Sequence, residues 1–345
     1  MKILHVINLM KLGGAQSLLV PLTKIQKEEG NDVIILQLVP TADRTLIDQV
    51  EANGVKIITL SKSRSVYSPL FIFSLKNYLK DCDVAHVHLF PAQYWVALSR
   101  FLFRIKTPII TTEHSTNNKR RNKSLFKNVD KFIYGQYNYV VACADKALET
   151  FNQRYFSKKI HAISIPNGID VTRYNKATLY NKSDLLGIDD SCKVITMVAR
   201  FVYPKRQDIL VKALAHLPNE FHVAFVGGSE INDSGLDEVW QCANDNNVSD
   251  RVHFLYARKD VPEILKSSDY IVMSSEYEGL SLSSLEGMAA GVFLASNVNG
   301  LRDVVEGAGV LFEYDTPNDL ADKISPYGDK FLNPHNTSSS SIPGV

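Results

Sequence analysis

Short unbroken apolar runs alternate along the chain with stretches whose apolar residues recur at helical spacing. The first set of runs is Ile3–Ile7, Val33–Leu38, Val55–Leu60, Val84–Val87, Ile109–Thr112, Tyr139–Ala142 and Ala162–Ile165. Between several of them lie amphipathic segments such as Gln16–Glu29 and Pro91–Ile105. Uninterrupted apolar character predicts strands buried on both faces, and the alternation predicts a parallel sheet covered by helices on both sides. A polar, irregular stretch follows, and then a second set: Lys193–Ala199, His222–Val226, Val252–Leu255, Tyr270–Met273, Val292–Ala295 and Val310–Phe312. Helical patterns at Gln207–Ala215 and Val261–Lys266 separate these in turn. The expectation is an α/β protein of two tandem, doubly wound, Rossmann-like domains, residues 1–175 and 191–325, joined by a linker at 176–190. Residues 326–345 are expected to form a polar, disordered tail, four consecutive serines from Ser338 among them. Sheets of this kind bind ligands beyond the carboxyl ends of their strands, so a cleft between the domains is the expected ligand site.

Length agrees with two domains: 345 residues against a prior of about 150 per domain. A hydrophobic fraction of 45% supplies sizeable cores, and a net charge of +1 argues against nucleic acid as a partner. Cys82, Cys143, Cys192 and Cys242 are scattered, with no CxxC pair and no metal-ligand spacing, as reduced thiols in a cytosolic protein would be. Lys11 and Gly13-Gly14 interrupt the first apolar run too early for a signal peptide, and no run of about 18 uncharged apolar residues exists to span a membrane. A cytoplasmic protein is expected.

The most informative local pattern is the run Ser274–Gly291. Glu278 and Glu286 stand eight positions apart, on either side of a loop-to-helix junction. Gly279 and small neighbours let a ligand approach the backbone. Leu282, Leu285, Met288 and Ala289 keep helical spacing up to a stop at Gly291. A helix start offers N–H groups to a phosphate, and the two acids can then hold hydroxyls at its two ends. A capped amphipathic helix with two solvated acids fits the same spacing. Arg200 and Lys205 follow the first strand of the second domain, where two cations can neutralise a diphosphate without a metal ion; with Arg206 alongside, they also suit a solvated basic loop. Gly13-Gly14 opens the first helix as a ligand-facing loop or a plain turn, and lacks the dinucleotide fingerprint. His114, just past Thr112, can bond a substrate hydroxyl, with His88 its rival for that place. Gln93–Lys106 and the basic run Lys119–Lys127 mix cations with Trp95, Phe101 and Phe103. They suit either an anionic membrane surface or a core helix followed by a solvated loop.

Taken in order, Gly13-Gly14-Ala15, His86-Val87-His88, Thr112-Glu113-His114, Pro166-Asn167-Gly168-Ile169-Asp170, Ala199-Arg200 with Lys205, Phe225-Val226-Gly227-Gly228 and the two glutamates resemble the retaining glycosyltransferases of family 4, which have the GT-B fold. The resemblance runs to about Ser325. It implies that Glu286 binds the ribose hydroxyls of a nucleotide and that Glu278 contacts the transferred sugar. The backbone at Gly279, Leu280 and Ser281 would approach the sugar or diphosphate. Arg200 and Lys205 would stabilise the leaving diphosphate in place of a metal, with no cofactor. Gly13 and Gly14 would lie by the donor phosphates, His114 near the reacting carbon and the acceptor, and Arg258 where the base is held. The chain departs from the family pattern at Phe293 (usually proline), Tyr256 (commonly glycine) and Ala144 (usually serine). It also ends in polar residues where the family continues into helices returning to the first domain.

The implied activity is transfer from a nucleotide-diphosphate sugar, a UDP-sugar among the expected donors, to a hydroxyl of a glycan or lipid-linked acceptor in surface-polysaccharide assembly. Cytoplasmic, peripheral contact with the inner face of the membrane accompanies it. The competing readings are a nucleotide-sugar epimerase of similar fold and a catalytically weak sugar-nucleotide-binding protein.

Overall fold

The computed structural model describes residues 1–345 apart from 115–124, 156, 229–233, 279–280, 306 and 332–345; the side chains of 125–126 and 326–331 also lie outside the description. The chain divides into two compact units, Met1–Ile169 and the remainder from Asp170.

In the first unit β1 (Lys2–Ile7), α1 (Gly14–Glu28), β2 (Asp32–Gln37), α2 (Thr45–Ala52), β3 (Lys56–Thr59), α3 (Phe71–Lys80), β4 (Val84–His88), α4 (Ala92–Leu102), β5 (Ile109–Glu113), α5 (Leu125–Tyr134), β6 (Tyr139–Ala142), α6 (Asp145–Tyr155) and β7 (Ala162–Ser164) follow one another. The strands form one parallel sheet in the order β3-β2-β1-β4-β5-β6-β7. Alternate residues of β1 enter different cores, as strand geometry requires. Leu4 and Val6 join Phe71, Leu75 and Leu79 of α3 and Val96 of α4. Ile3 and Ile7 join Leu19 of α1 and Leu46, Ile47 and Val50 of α2. His5 shares the α1 side by alternation, and there it is fully buried.

The second unit runs α7 (Val171–Asn175), α8 (Lys182–Leu186), β8 (Lys193–Val198), a 3-10 turn at Tyr203–Lys205, α9 (Gln207–Leu214), β9 (Phe221–Val226), α10 (Ser234–Asp245), β10 (Val252–Tyr256), α11 (Val261–Lys266), β11 (Tyr270–Met273), α12 (Leu282–Ala290), β12 (Phe293–Ser296), α13 (Arg302–Val305), β13 (Val310–Phe312) and α14 (Pro317–Phe331). Its parallel sheet, β10-β9-β8-β11-β12-β13, repeats the strand order of the first six strands of the other sheet. No sequence repeat announces this, because the two units share a winding rule rather than residues. In both sheets the chain reverses direction beside the first strand, between β1 and β4 and between β8 and β11. Loops leaving those strands diverge there and open a crevice at the carboxyl edge.

Two expected boundaries move. Residues 176–190 were read as a linker because they are polar. They instead belong to the second unit, tied by half-buried polar contacts: Lys182 Nζ lies 2.7 Å from Asp269 Oδ2, and the Tyr180 hydroxyl donates to Asp260 Oδ2 at 3.0 Å. The tail was expected from residue 326, but α14 continues to Phe331, anchored upstream by buried Leu320 and Ile324 and packed against α9. The expected disorder at 332–345 lies outside the described residues.

Candidate active site

The second unit gathers most of the charged candidates at the β8/β11 switch. The loop after β11 is stitched to the 3-10 turn after β8. Ser274 Oγ donates to the Arg206 carbonyl at 2.8 Å, and the Glu276 N–H donates to the Pro204 carbonyl at 2.8 Å. This brings Lys205 against Glu278 across 73 positions of sequence: the ammonium is ion-paired to Glu278 Oε1, and Ser275 Oγ donates to the same oxygen at 2.7 Å. Both side chains are largely shielded, at 19% and 12% exposure, so their attraction is screened far less than that of a surface pair.

The three neighbouring cations therefore differ. Arg206 has a left-handed backbone, φ +50°, and binds both Asp208 oxygens at 2.8 and 3.0 Å as well as Asp315 at 2.6 Å, which makes it a structural clamp. Lys205 is held by Glu278. Arg200 is exposed, and no side-chain partner is seen for it among the described residues. Gly227 shapes the same edge. Its φ is +133°, and a Cβ there would stand 2.2 Å from the Ala199 carbonyl oxygen, so only glycine lets β9 leave the sheet beside Arg200.

Helix α12 starts at Ser281, a residue with extended backbone, and no side chain caps its first turn, in which no acid stands. The Ser284 N–H turns back to the Ser281 carbonyl at 3.1 Å, and among the described residues the N–H groups of Leu282 and Ser283, with the partial positive charge of the helix start, are left for an anion. Gly279 and Leu280 lie outside the described residues. One turn into the helix, Glu286 accepts a hydrogen bond from Tyr174. Burial raises its pKa above the ordinary carboxylate value, opposed by that hydrogen bond and by the Arg173 charge. Tyr174 is itself 4% exposed and reaches Glu286 from α7, which Asp170 caps by accepting the Thr172 N–H at 3.0 Å. The Pro166–Asp170 motif thus begins the helix that positions Glu286. Tyr174 and Ser275 escaped the sequence reading, since only packing of α7 on α12 and the turn around Glu278 reveal them.

Arg258 holds both oxygens of Asp260, at 2.8 and 2.5 Å, so its side chain is committed. Tyr256 has φ +53°. The glycine common there in the resembling family would occupy that region without the roughly 1 kcal/mol cost of a side chain. Phe293 lies against Gly287: a Cβ on that glycine would stand 2.6 Å from the Phe293 ring, so the large side chain is accommodated by a small one on α12.

In the first unit Gly13 precedes α1 as its N-cap, with no side-chain cap, and Gly14 is exposed with open space where a Cβ would be. His114 follows β5 at the same carboxyl edge and contacts His88, Nδ1 to Nε2, at 3.4 Å. The rivals of the sequence reading are therefore neighbours. His5, His86 and His88 bring ring nitrogens within 4.8 Å of one another, a group tight enough for a metal ion that sequence spacing had concealed. Those nitrogens are engaged with one another, with Gln26 and with Thr112. The Lys119–Lys123 segment lies outside the described residues.

Two tandem parallel-sheet units with a cation–carboxylate cluster and an open helix start at the switch of the second define a GT-B sugar-nucleotide enzyme. Comparison with known proteins agrees. The family model described as Glycosyltransferase Family 4 matches residues 12–173, and that described as Glycosyl transferases group 1 matches residues 192–327. The chain belongs to this family 4, group 1 lineage of glycosyltransferases, enzymes that draw on nucleotide-sugar donors. It is 27% identical, over 88% of its length and 81% of the relative's, to a UDP-Gal:alpha-D-GlcNAc-diphosphoundecaprenol alpha-1,3-galactosyltransferase of Escherichia coli. A capsular polysaccharide biosynthesis glycosyltransferase of Staphylococcus aureus is 23% identical over 83% of this chain and 78% of its own. Among solved structures, Anabaena HepE in complex with UDP-glucose aligns over 96% of this chain and 90% of its own, with TM-score 0.81 and 21% identity. Among the described residues no helix is long and apolar enough to cross a membrane.

Proposed function

We propose that this glycosyltransferase is a retaining enzyme that moves a sugar from a UDP-type donor to a hydroxyl of a glycan or lipid-linked acceptor in surface-polysaccharide assembly. The observation that carries the reading is the arrangement of the two acids about the start of α12: Glu286 fixed by Tyr174 on one side, Glu278 paired with Lys205 on the other. A nucleotide diphosphate spans such a site, its ribose hydroxyls on Glu286, its phosphates at the helix start and on Arg200 and Lys205, its sugar on Glu278. The backbone of Gly279, Leu280 and Ser281 approaches the phosphates and sugar, and that of Arg258 approaches the base. Gly13 and Gly14 serve the donor phosphates, and His114 serves the reacting carbon and the acceptor.

Breaking the bond between the sugar's anomeric carbon and the phosphate oxygen leaves both electrons on the diphosphate. Preorganised cations there supply the main electrostatic stabilisation. The acceptor oxygen bonds the same face of the sugar, and its proton passes to the departing phosphate oxygen. Lys205 and Arg200 supply the charge that a divalent ion would, so EDTA leaves turnover near its starting value; strict dependence on added Mg²⁺ or Mn²⁺ refutes that role. Glu286→Gln and Lys205→Met test the site. Each should lower kcat/KM by about 10²–10³, as removal of a single electrostatic contact does elsewhere, with both variants still folded and unfolding cooperatively. Turnover at the wild-type level in either variant overturns the assignment.

A lipid-linked acceptor is consistent with the surface of the first unit. Phe101 and Leu102, each 55% exposed, end α4, and the Phe101 ring meets Phe132 of α5 edge-on at 5.1 Å, with Arg104 and Lys131 nearby in sequence. Aromatics flanked by cations bind anionic bilayers. Flotation with anionic vesicles at low salt should carry the protein upward, and its absence there refutes membrane contact.

A further inference from the structure

Strand register lines up histidines on one face of the first sheet. His5 of β1 pairs in register with His86 of β4, and His88 lies two residues on, hence on the same side. His88 is in register with Thr112 of β5, and His114 lies two residues beyond that. The result is a continuous chain of contacts: Gln26 Oε1 to His5 Nε2 at 2.8 Å, His5 Nδ1 to His88 Nε2 at 3.1 Å, and His88 Nδ1 to His114 Nε2 at 3.4 Å. His5 and His88 are 0% and 1% exposed, so water does not replace any link between them. Gln26 enters from α1, where it is half-buried.

We infer that Gln26, His5 and His88 act as positioning residues that hold His114 in one tautomer, protonated at Nε2 with an open lone pair at Nδ1. The reasoning is one of hydrogen-bond polarity. A neutral imidazole has one donor and one acceptor nitrogen. The Gln26 oxygen can only accept, so His5 Nε2 carries the proton and His5 Nδ1 accepts. His88 then donates from Nε2 and accepts at Nδ1, and His114 donates from Nε2. Each ring is neutral at pH 7, because burial holds all three below the ordinary histidine value, His5 and His114 at about 4. The orientation of one amide is thereby transmitted through two buried rings to a third at the carboxyl edge. The way a partner of one ring nitrogen sets the role of the other is general for histidine.

The inference rests on the reading that His114 meets the acceptor or the reacting sugar. Under it, His114 takes a hydrogen bond from a substrate hydroxyl at Nδ1 and offers no proton there. A hydroxyl presented as donor is accepted, and an acceptor-only group such as an ether oxygen at that place is not.

The test reads the tautomer and the rate separately. In the full-length protein labelled with ¹⁵N-histidine, two-bond ¹H–¹⁵N correlation distinguishes protonated from bare ring nitrogens, with His114 assigned by its loss in His114→Gln. The expected spectrum shows His114 as the Nε2–H form. Gln26→Leu should let the other tautomer appear and lower kcat by roughly fivefold, the effect of one lost hydrogen bond, with donor KM unchanged. Gln26→Glu, an acceptor only, should keep both spectrum and rate. An Nδ1–H form of His114 in the native protein overturns the inference, as does a spectrum indifferent to Gln26→Leu. So does a shifted tautomer with an unchanged kcat. The Glu286→Gln assay concerns residues of the other unit and stands or falls independently of these results.

Discussion

Acidification should destabilise the first unit before most carboxylates titrate. His5 is fully buried, and burial lowers its pKa from 6.5 to about 4. Between those values the unfolded chain binds a proton that the folded chain refuses, so stability falls as pH falls. The contribution is whole above 6.5 and lost progressively down to about 4. At pH 5 this one residue costs about 2 kcal/mol relative to pH 7. His86, His88 and His114 shift in the same direction for the same reason, so they add to the loss on acidification. The two tryptophans fall one to each unit, Trp95 and Trp240. Trp95 donates to the Val66 carbonyl at 2.8 Å and packs against the first unit's core, so its emission reports that unit. In Trp240→Phe, urea unfolding followed through Trp95 should show a clearly lower midpoint at pH 5 than at pH 7. Trp95→Phe, read through Trp240, should show a smaller drop, because His222 and His253 are only partly buried. Equal midpoints for the first unit at pH 7 and pH 5 would refute the argument that these rings are folded in their neutral form.

Three further outcomes follow from the second unit. Gly227→Ala should lower stability by about 1–3 kcal/mol and weaken donor binding, since its methyl group meets the Ala199 carbonyl; a wild-type melting temperature sinks this reading. Glu278→Gln releases Lys205 from its ion pair, so calorimetry should find UDP bound about fivefold tighter while sugar transfer drops, and weaker UDP binding contradicts the proposed competition. The raised pKa of Glu286 means that its ionised form, the one that would accept ribose hydrogen bonds in the proposed site, fills in only above the usual 4.5. Donor affinity should therefore climb from pH 5 to pH 7 in the wild type and stay level in Glu286→Gln; a level wild-type profile removes Glu286 from the ribose.

The strands were legible because parallel sheets buried on both faces write themselves as plain apolar runs: Tyr139–Ala142, Tyr270–Met273 and Val310–Phe312 have the expected ends. Helix α12 and its stop at Gly291 were legible from spacing. Contacts that depend on register or on distant pairing were not. Nothing local joins Lys205 to Glu278, and the histidine alignment appears only once β1, β4 and β5 are placed side by side. Residues 176–190 misled for a physical reason: a lysine that reaches a half-buried aspartate, as Lys182 reaches Asp269, looks in sequence like any solvated charge. The single-residue departures proved informative, because Tyr256 keeps a backbone shape that glycine adopts freely, and Phe293 finds its space over Gly287.

The junction at Ile169/Asp170 has a practical consequence for anyone wishing to study the second unit in isolation. A gene fragment cut at the polarity break near residue 176 would discard α7, and with it the hydroxyl that Tyr174 gives to Glu286. Such a fragment could fold and still bind nucleotide poorly, and the fault would lie with the scissors rather than the site. Starting at Asp170 keeps the helix together with the carboxylate that begins it.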